Sequence, residues 1–198
     1  MPSNALQALL LCLPICAYAQ GTFVYDQQSV TNDAVSGEGA PGIQPAQPMG
    51  QSFTPALDSI GFIRLWTGDS AFNGLGAILY VNLRSDSITG QILSSTSPVF
   101  LPDGFVGHTT FGFPSAGPVT PGTTYFFQPV VQTGDIWQII ADPNFNYPGG
   151  TAFAQGLPAP PFDLWFREGI IVPEPSSLAM ALSGFACFAV LIRRRRNR

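Results

Sequence analysis

Short apolar runs, each bounded by glycine or proline, set the strongest limit on what this chain can fold into. Within residues 78–84, Leu79, Val81 and Leu83 would share one face of a strand, and the residues between them the other face. Similar runs lie at residues 59–67, 88–95, 123–132, 135–141 and 162–168. Because alternation between turn residues is typical of antiparallel sheets, we predict an all-β chain, folded as an antiparallel, jelly-roll-like β-sandwich.

Other segments are predicted to be irregular. Residues 33–50 are rich in Gly, Pro, Ala and Gln, which favours a long loop. Residues 157–161 contain three prolines and should form an extended connection. Residues 103–108 are interpreted as a loop that ends at His108, the single histidine of the chain.

The charged residues are few and unevenly placed. The chain has no lysine, and five of its eight arginines follow the last apolar run. Residues 21–172 therefore hold three arginines against eleven carboxylates, a net charge of −8. Nucleic acid is bound through basic residues that neutralise its phosphates, so we expect no nucleic-acid partner.

The N-terminal end has the pattern of an export signal. Residues 5–17 are almost wholly apolar, and Ala17, Tyr18 and Ala19 give the small, any, small pattern that signal peptidase cuts. We predict a signal peptide at residues 1–19, with a buried core helix as the alternative because no Lys or Arg precedes the apolar run. Cysteines occur only here and at Cys187, so the predicted domain at residues 20–171 holds no disulfide.

The C-terminal end has the pattern of a membrane anchor. Residues 176–192 carry no charge, and as a helix they would span roughly 25 Å, the short end of what crosses a hydrocarbon core of about 30 Å. The basic tail at residues 193–198 would stay in the cytoplasm and place the domain outside. That tail contains Arg193, Arg194, Arg195 and Arg196.

A proline-rich segment precedes this helix. Pro173 and Pro175 on either side of Glu174 prevent a regular helix and favour an extended backbone, which a protease can grip. The alternative is a simple stop-transfer anchor with a proline-rich hinge.

The three C-terminal parts in this order resemble the PEP-CTERM sorting signal of Gram-negative bacteria, over residues 172–198. The resemblance implies that Pro173, Glu174 and Pro175 are recognised by an exosortase, a membrane protease and transpeptidase. Cleavage there would release or re-anchor the protein at the cell surface or in the extracellular matrix. The same segment is also labelled an ice-binding protein C-terminal domain, but the adjacent pairs Thr109–Thr110 and Thr123–Thr124 do not form the regular threonine face that ice binding requires.

Several segments of the body form a second, fainter pattern: Gln51-Ser52-Phe53-Thr54, residues 78–87, Thr89-Gly90, residues 121–125 and Trp137. Together they resemble the secreted choice-of-anchor domains, which precede several kinds of surface anchor. That resemblance implies a β-sandwich and assigns no activity.

Catalytic material is scarce in the body. His108 has no second histidine or usable cysteine beside it, which disfavours a zinc or copper site and a serine triad. Asp142, Asp163 and Glu168 are candidate carboxylates for a hydrolase, which needs two of them together. We expect no enzyme activity and no dedicated metal site; calcium, held by carboxylate and backbone oxygens, is the one cofactor left open.

Four aromatic residues are candidate ligand contacts. Trp66, Tyr80, Trp137 and Trp165 lie in predicted strands, where they could stack on a sugar or fill the core. The sequence therefore leaves two functions open: a non-enzymatic surface or matrix protein, or a module that binds exopolysaccharide. Signal peptidase, an exosortase and the membrane are the expected partners.

Overall fold

The structure, a computed structural model of this chain, describes residues 21–33 and 41–173. These residues form fourteen strands and no α-helix, and the strand pairs whose register is given are antiparallel. The predicted all-β, antiparallel class is therefore confirmed. The predicted signal peptide, the helix at residues 176–192 and Arg193, Arg194, Arg195 and Arg196 lie outside the described residues.

A five-stranded sheet has the order β1, β14, β3, β7, with β9 also paired to β3. Its strands are β1 (Thr22–Gln28), β3 (Ser59–Asp69), β7 (Val106–Pro118), β9 (Trp137–Ile139) and β14 (Phe166–Val172). The central strand β3 pairs with β7 along most of its length and with β14 over residues 62–65. This sheet therefore places β14, the last strand of the body, beside β3, which also pairs with β7.

A seven-stranded sheet has the order β12, β11, β2, β8, β4, β5, with β6 also paired to β4. Its strands are β2 (Gly50–Phe53), β4 (Ala77–Ser85), β5 (Ile92–Ser95), β6 (Val99–Leu101), β8 (Tyr125–Thr133), β11 (Ala152–Ala154) and β12 (Leu157–Pro158). A separate short pair consists of β10 (Ala141–Asp142) and β13 (Asp163–Leu164).

The two large sheets share one hydrophobic core within the compact unit Phe23–Ile171. Leu79, Val81 and Leu83 of β4 are fully buried in it, as their alternation predicts. Ile63 and Leu65 of β3 meet them from the other sheet. Since only one face of each strand enters this core, the residues between these apolar positions lie on the outer faces of the sheets.

The longest strand, β7, was not predicted. Its glycines and prolines look like turn residues, yet Thr109, Phe111 and Phe113 alternate into the interior. Gly112 lies on the opposite face, beside Phe62 of β3. The interpretation of His108 as a loop residue is therefore wrong: it lies within β7, opposite Trp66 of β3.

The predicted irregular segments are partly described. Residues 41–49 hold turns and one isolated bridge, from Gly42 to Gln138, but no strand. The proline-rich connection contains the two-residue strand β12. Within the described ranges, no helix has the length and apolar character needed to cross a membrane.

Candidate functional site

The predicted sorting motif begins where the last strand ends. β14 runs to Val172, and its last two residues, Ile171 and Val172, are exposed. Pro173 has no backbone N–H to continue the ladder, so the strand stops there. The first motif residue therefore follows the folded body directly; Glu174 and Pro175 lie outside the described residues.

Two of the four candidate aromatic residues are fully buried. Trp137 belongs to the main core, where its indole N–H donates to Asp135 Oδ1 at 3.1 Å. Trp165 packs with Ile140 and Phe145 in a smaller cluster. Neither indole ring offers a free face on which a sugar could stack, which favours the core-packing alternative for both.

The other two candidates, Trp66 and Tyr80, are half-buried and lie far apart in the fold. Trp66 alternates with the core residue Leu65 and so lies on the outer face of the five-stranded sheet. Tyr80 alternates with Leu79 and lies on the outer face of the seven-stranded sheet. No single platform can contain both, because the shared core separates the two faces.

The outer face of the five-stranded sheet collects positive charge. Arg64 of β3 and Arg167 of β14 are directly opposite each other in the strand register. Tyr25 of β1 contacts both: its hydroxyl accepts a hydrogen bond from Arg64 Nη1 at 3.2 Å, and its ring lies 5.3 Å from the Arg167 guanidinium carbon. Like charges directly opposite each other destabilise a sheet unless a counter-charge is near.

One carboxylate partly neutralises this face. Asp33 Oδ1 lies 3.0 Å from Arg167 Nη1 and 3.9 Å from His108 Nε2. The Asp33 side chain is 65% exposed, whereas that of Arg167 is only 7% exposed. Burial and the positive charge of Arg64 lower the pKa of His108, and this outweighs the effect of Asp33 in the other direction. Two fixed positive charges therefore face one carboxylate.

Three buried nitrogen atoms at this face have no hydrogen-bond partner among the described residues: His108 Nδ1, Trp165 Nε1 and Arg167 Nη2. They lie close together, because the His108 ring centroid is 4.3 Å from that of Trp165, and the Arg167 guanidinium carbon is 5.0 Å from the Trp165 ring. Most buried polar atoms in native proteins are hydrogen-bonded, so a group of three without a partner requires an explanation. We call Arg64, His108, Trp165 and Arg167 the cationic cluster.

The outer face of the seven-stranded sheet is different. Gln128 Oε1 accepts hydrogen bonds from Arg84 Nε at 2.8 Å and from Asn82 Nδ2 at 3.4 Å, and Gln128 Nε2 donates to Gln47 Oε1 at 2.7 Å. Asn82 Oδ1 in turn accepts from Ser95 Oγ at 2.7 Å. We call these five residues the amide network, and its polar groups are joined to one another.

The structure places two of the three candidate carboxylates opposite each other. Asp142 of β10 pairs with Asp163 of β13, and both are buried. Asp163 accepts hydrogen bonds from Gln51 Nε2 at 2.7 Å and from the Tyr147 amide at 3.0 Å, and Asp142 accepts from the Asn144 amide at 2.7 Å. Burial raises the pKa of Asp163 despite these bonds. Their bonds hold strands and turns together.

Glu168, the third candidate, points into the interior. It is opposite Ile63 in the register and fully buried. Among the described residues, neither carboxyl oxygen has a partner at ordinary hydrogen-bond geometry. Burial, with the negative charge of Asp26, raises the pKa of Glu168 to about 8, although the nearby Gln27 amide acts in the opposite direction. Glu168 is therefore protonated at neutral pH and is isolated from the other two candidates.

A cavity of about 400 Å³ lies near one edge of the seven-stranded sheet. Its walls include Met49, Phe153, Phe162 and Leu164, and they are almost entirely apolar. No acid, base or nucleophile lines it. Within residues 21–33 and 41–173, no three acidic, histidine or cysteine side chains come together in a way that could hold a metal ion.

Sequence reasoning did not find the cationic cluster. Arg64 and Trp66 are two residues apart, as are Trp165 and Arg167, so each pair has the spacing of one strand face. This repeated spacing of an arginine and a tryptophan was the one sequence pattern that could have pointed to the cluster. It could not show that β14 lies beside β3 with the two arginines in register.

Comparison with known proteins bears on the end of the chain. No curated protein and no solved structure matches this chain. A family model described as the PEP-CTERM protein-sorting motif matches residues 172–196, from the last residue of β14 onwards. That motif implies export, membrane-anchored sorting and processing by an exosortase, a membrane protease. The resemblance of the body to choice-of-anchor domains stays a prediction. By the match of the family model, the C-terminal segment is a PEP-CTERM protein-sorting signal.

Proposed function

We propose that this chain is a non-enzymatic cell-surface or extracellular-matrix protein with a β-sandwich body. The signal peptide is removed after Ala19, and the helix at residues 176–192 holds the protein in the inner membrane with its body outside the cytoplasm. An exosortase then cuts near Pro173, Glu174 and Pro175. The body remains at the cell surface or is released.

The observation that carries this proposal is the match of the sorting motif at residues 172–196. The position of β14 supports it, because the strand ends at Val172 and the exposed chain continues directly into the motif. A protease needs an extended and accessible segment, and the two prolines favour that conformation.

The non-enzymatic role is supported by how the candidate catalytic groups are used. Asp142 and Asp163 hydrogen-bond to neighbouring strands and turns. Glu168, on β14 beside Ile63 of β3, is fully buried and has no access to a substrate. His108 lies against Trp165 and beside two arginines, and neither contact activates a nucleophile.

Mass spectrometry of the protein recovered from the envelope and the medium of an exosortase-containing host tests the route. We expect a chain that begins at Gln20 and ends near the proline motif. In a Glu174→Gln variant the uncut tail should accumulate. The matched control is Asp58→Asn, which removes an exposed carboxylate from the body. A wild-type chain that still ends at Arg198 would contradict the processing step, and equal processing of Glu174→Gln would remove Glu174 from the recognition residues.

A polysaccharide-binding module is the second candidate, and one observation favours it. Trp66 is half-buried on the same outer face as Tyr25, which is exposed, and the two arginines. Screening the full-length chain against neutral and acidic polysaccharides tests this function. Binding to none of them, with or without calcium, would remove it.

A further inference from the structure

We propose that the cationic cluster on the five-stranded sheet binds a carboxylate group, carried by an acidic polysaccharide. The first reason is the three nitrogen atoms on His108, Trp165 and Arg167 that have no hydrogen-bond partner among the described residues. Indole and guanidinium N–H groups only donate hydrogen bonds, and an imidazole nitrogen can also donate. A bound anion would accept these hydrogen bonds, and buried donors left without an acceptor are costly.

The second reason is the distribution of charge. The body carries −8 in total, yet two of its three arginines and its single histidine meet at one place. Arg64 and Arg167 face each other in the register, and among the described residues only Asp33 forms an ion pair with the cluster. The local charge is therefore positive in a protein that is otherwise acidic. A second carboxylate would balance it.

The third reason is that the cluster already accommodates a carboxylate. Asp33 lies 3.0 Å from Arg167 Nη1, and its side chain is 65% exposed. Arginine recognises carboxylates through two parallel N–H groups, and within residues 21–33 and 41–173 Arg167 Nη2 has no partner. Asp33 therefore acts as an internal competitor: an incoming carboxylate either joins it or takes its place at Arg167.

The choice of a sugar as the carrier rests on the proposed surface or matrix role and on the neighbouring aromatic rings. Tyr25 is 38% exposed and bonded to Arg64, and Trp66 is half-buried next to Arg64 on β3. Aromatic rings present an apolar face with polar atoms at the edge, which suits a sugar ring that carries a carboxylate. Anion binding does not depend on the sorting route, so the calorimetry can contradict this proposal while the processing experiment supports the proposed route, and the reverse.

Titration calorimetry on the full-length chain, in mild detergent at low ionic strength, tests the site. The probes are oligogalacturonate, its neutral methyl ester, dextran, polyglutamate and free acetate. We expect binding to oligogalacturonate and none to the ester or dextran. Acetate should bind more weakly than oligogalacturonate, because it lacks the sugar. In tag-free protein the single imidazole is a second readout, since a bound anion near Arg64, Arg167 and Asp33 would raise the pKa of His108.

The variants separate the cluster from general charge. Arg64→Gln should weaken oligogalacturonate binding by about tenfold, because one hydrogen bond to a charged group is lost. Arg84→Gln removes the same charge from the amide network and should leave affinity unchanged. Asp33→Asn should strengthen binding, since it removes the internal competitor. Arg64 is half-buried, so its variant is expected to fold. Arg167 is almost fully buried, and a change there would disturb the packing around it.

Four results would overturn the proposal. No binding to oligogalacturonate would show that the cationic cluster does not bind a carboxylate carried by an acidic polysaccharide. Equal weakening by Arg64→Gln and Arg84→Gln would indicate an unspecific charge effect. Equal binding of the methyl ester would exclude the carboxylate as the recognised group. Equal affinity for polyglutamate would exclude the sugar as its carrier.

Discussion

The two large sheets share one core but treat their polar groups in opposite ways. In the seven-stranded sheet, the amide network joins Asn82, Arg84 and Gln128 through mutual hydrogen bonds. Of the six buried side-chain atoms that lack a partner among the described residues, five lie on β7, on β14 or directly before β14, and the sixth, on Asp135, lies between β8 and β9. The polar side chains of the amide network are hydrogen-bonded to one another, whereas the five-stranded sheet holds buried polar atoms without a partner among the described residues.

This difference matters because unmet polar groups are costly in a folded protein. A partnerless buried donor or acceptor costs about 1–3 kcal/mol, and a charged one costs more. A protein whose net stability is only about 5–15 kcal/mol has little room for several of them. Three of them, the nitrogen atoms of His108, Trp165 and Arg167, lie at the outer face of the five-stranded sheet, which favours a task for that face other than stability.

The largest effect is expected from Glu168→Gln. The pKa of Glu168 is about 8 in the folded protein, above its ordinary value of 4.5, so the folded state binds more protons than the unfolded state between these pH values. The stability that Glu168 contributes is complete below about pH 4.5 and is lost as the pH rises to about 8. We expect the variant to be more stable than the wild type by roughly 3–5 kcal/mol at about pH 9, measured by urea unfolding.

The advantage of Glu168→Gln should vanish near pH 4, where the wild-type carboxyl is protonated in both states. Asp58→Asn, which changes an exposed carboxylate, is the control and should show no such pH-dependent gain. A Glu168→Gln variant whose stability tracks the wild type at every pH would mean that the buried carboxyl has a partner.

A smaller effect of opposite sign is expected in the seven-stranded sheet. Gln128→Met keeps the side-chain volume but leaves Arg84, Asn82 and Gln47 without their shared partner. We expect a loss of about 1–3 kcal/mol in the free energy of unfolding. Gln132→Met, at an exposed position of the same strand, should change it by less than about 0.5 kcal/mol. If both variants are equally stable, the amide network is not a stabilising unit.

The smallest effect is expected from His108→Gln. Burial and Arg64 lower the pKa of His108, so the unfolded state binds more protons once the pH falls below about 6.5. The wild type should lose stability on acidification below that value, and the variant should not. Urea unfolding is best compared in a Glu168→Gln background, because Glu168 gives the opposite slope. An unchanged slope in His108→Gln would show that His108 is freely solvated.

How much of the fold the sequence could predict differs from strand to strand. β4 was predicted closely, because Leu79, Val81 and Leu83 alternate without interruption and all three enter the core. β7 was missed because Gly107, Gly112 and Pro114 resemble turn residues. Pairing of residues 106–112 and 117–118 of β7 with β3 overrides those local preferences.

The candidate sites follow the same division. The sorting motif could be identified from sequence, since its recognition depends on a local order of residues that a family model also matches. The aromatic residues could not be sorted, because Trp137 and Trp165 are buried while Trp66 and Tyr80 are half-exposed on different sheets. Alternation tells which residues share a face, but the register decides which face is covered.

The sequence by itself determined the all-β class, the acidic body and the sorting signal at residues 172–196, because each depends on composition or on neighbours along the chain. Only the tertiary structure decided that Arg64, His108, Trp165 and Arg167 meet, since they come from distant segments brought together by the pairing of β3 with β7 and β14. Strand pairing is a long-range choice made by burial of the whole core, and no local pattern around these residues contains it.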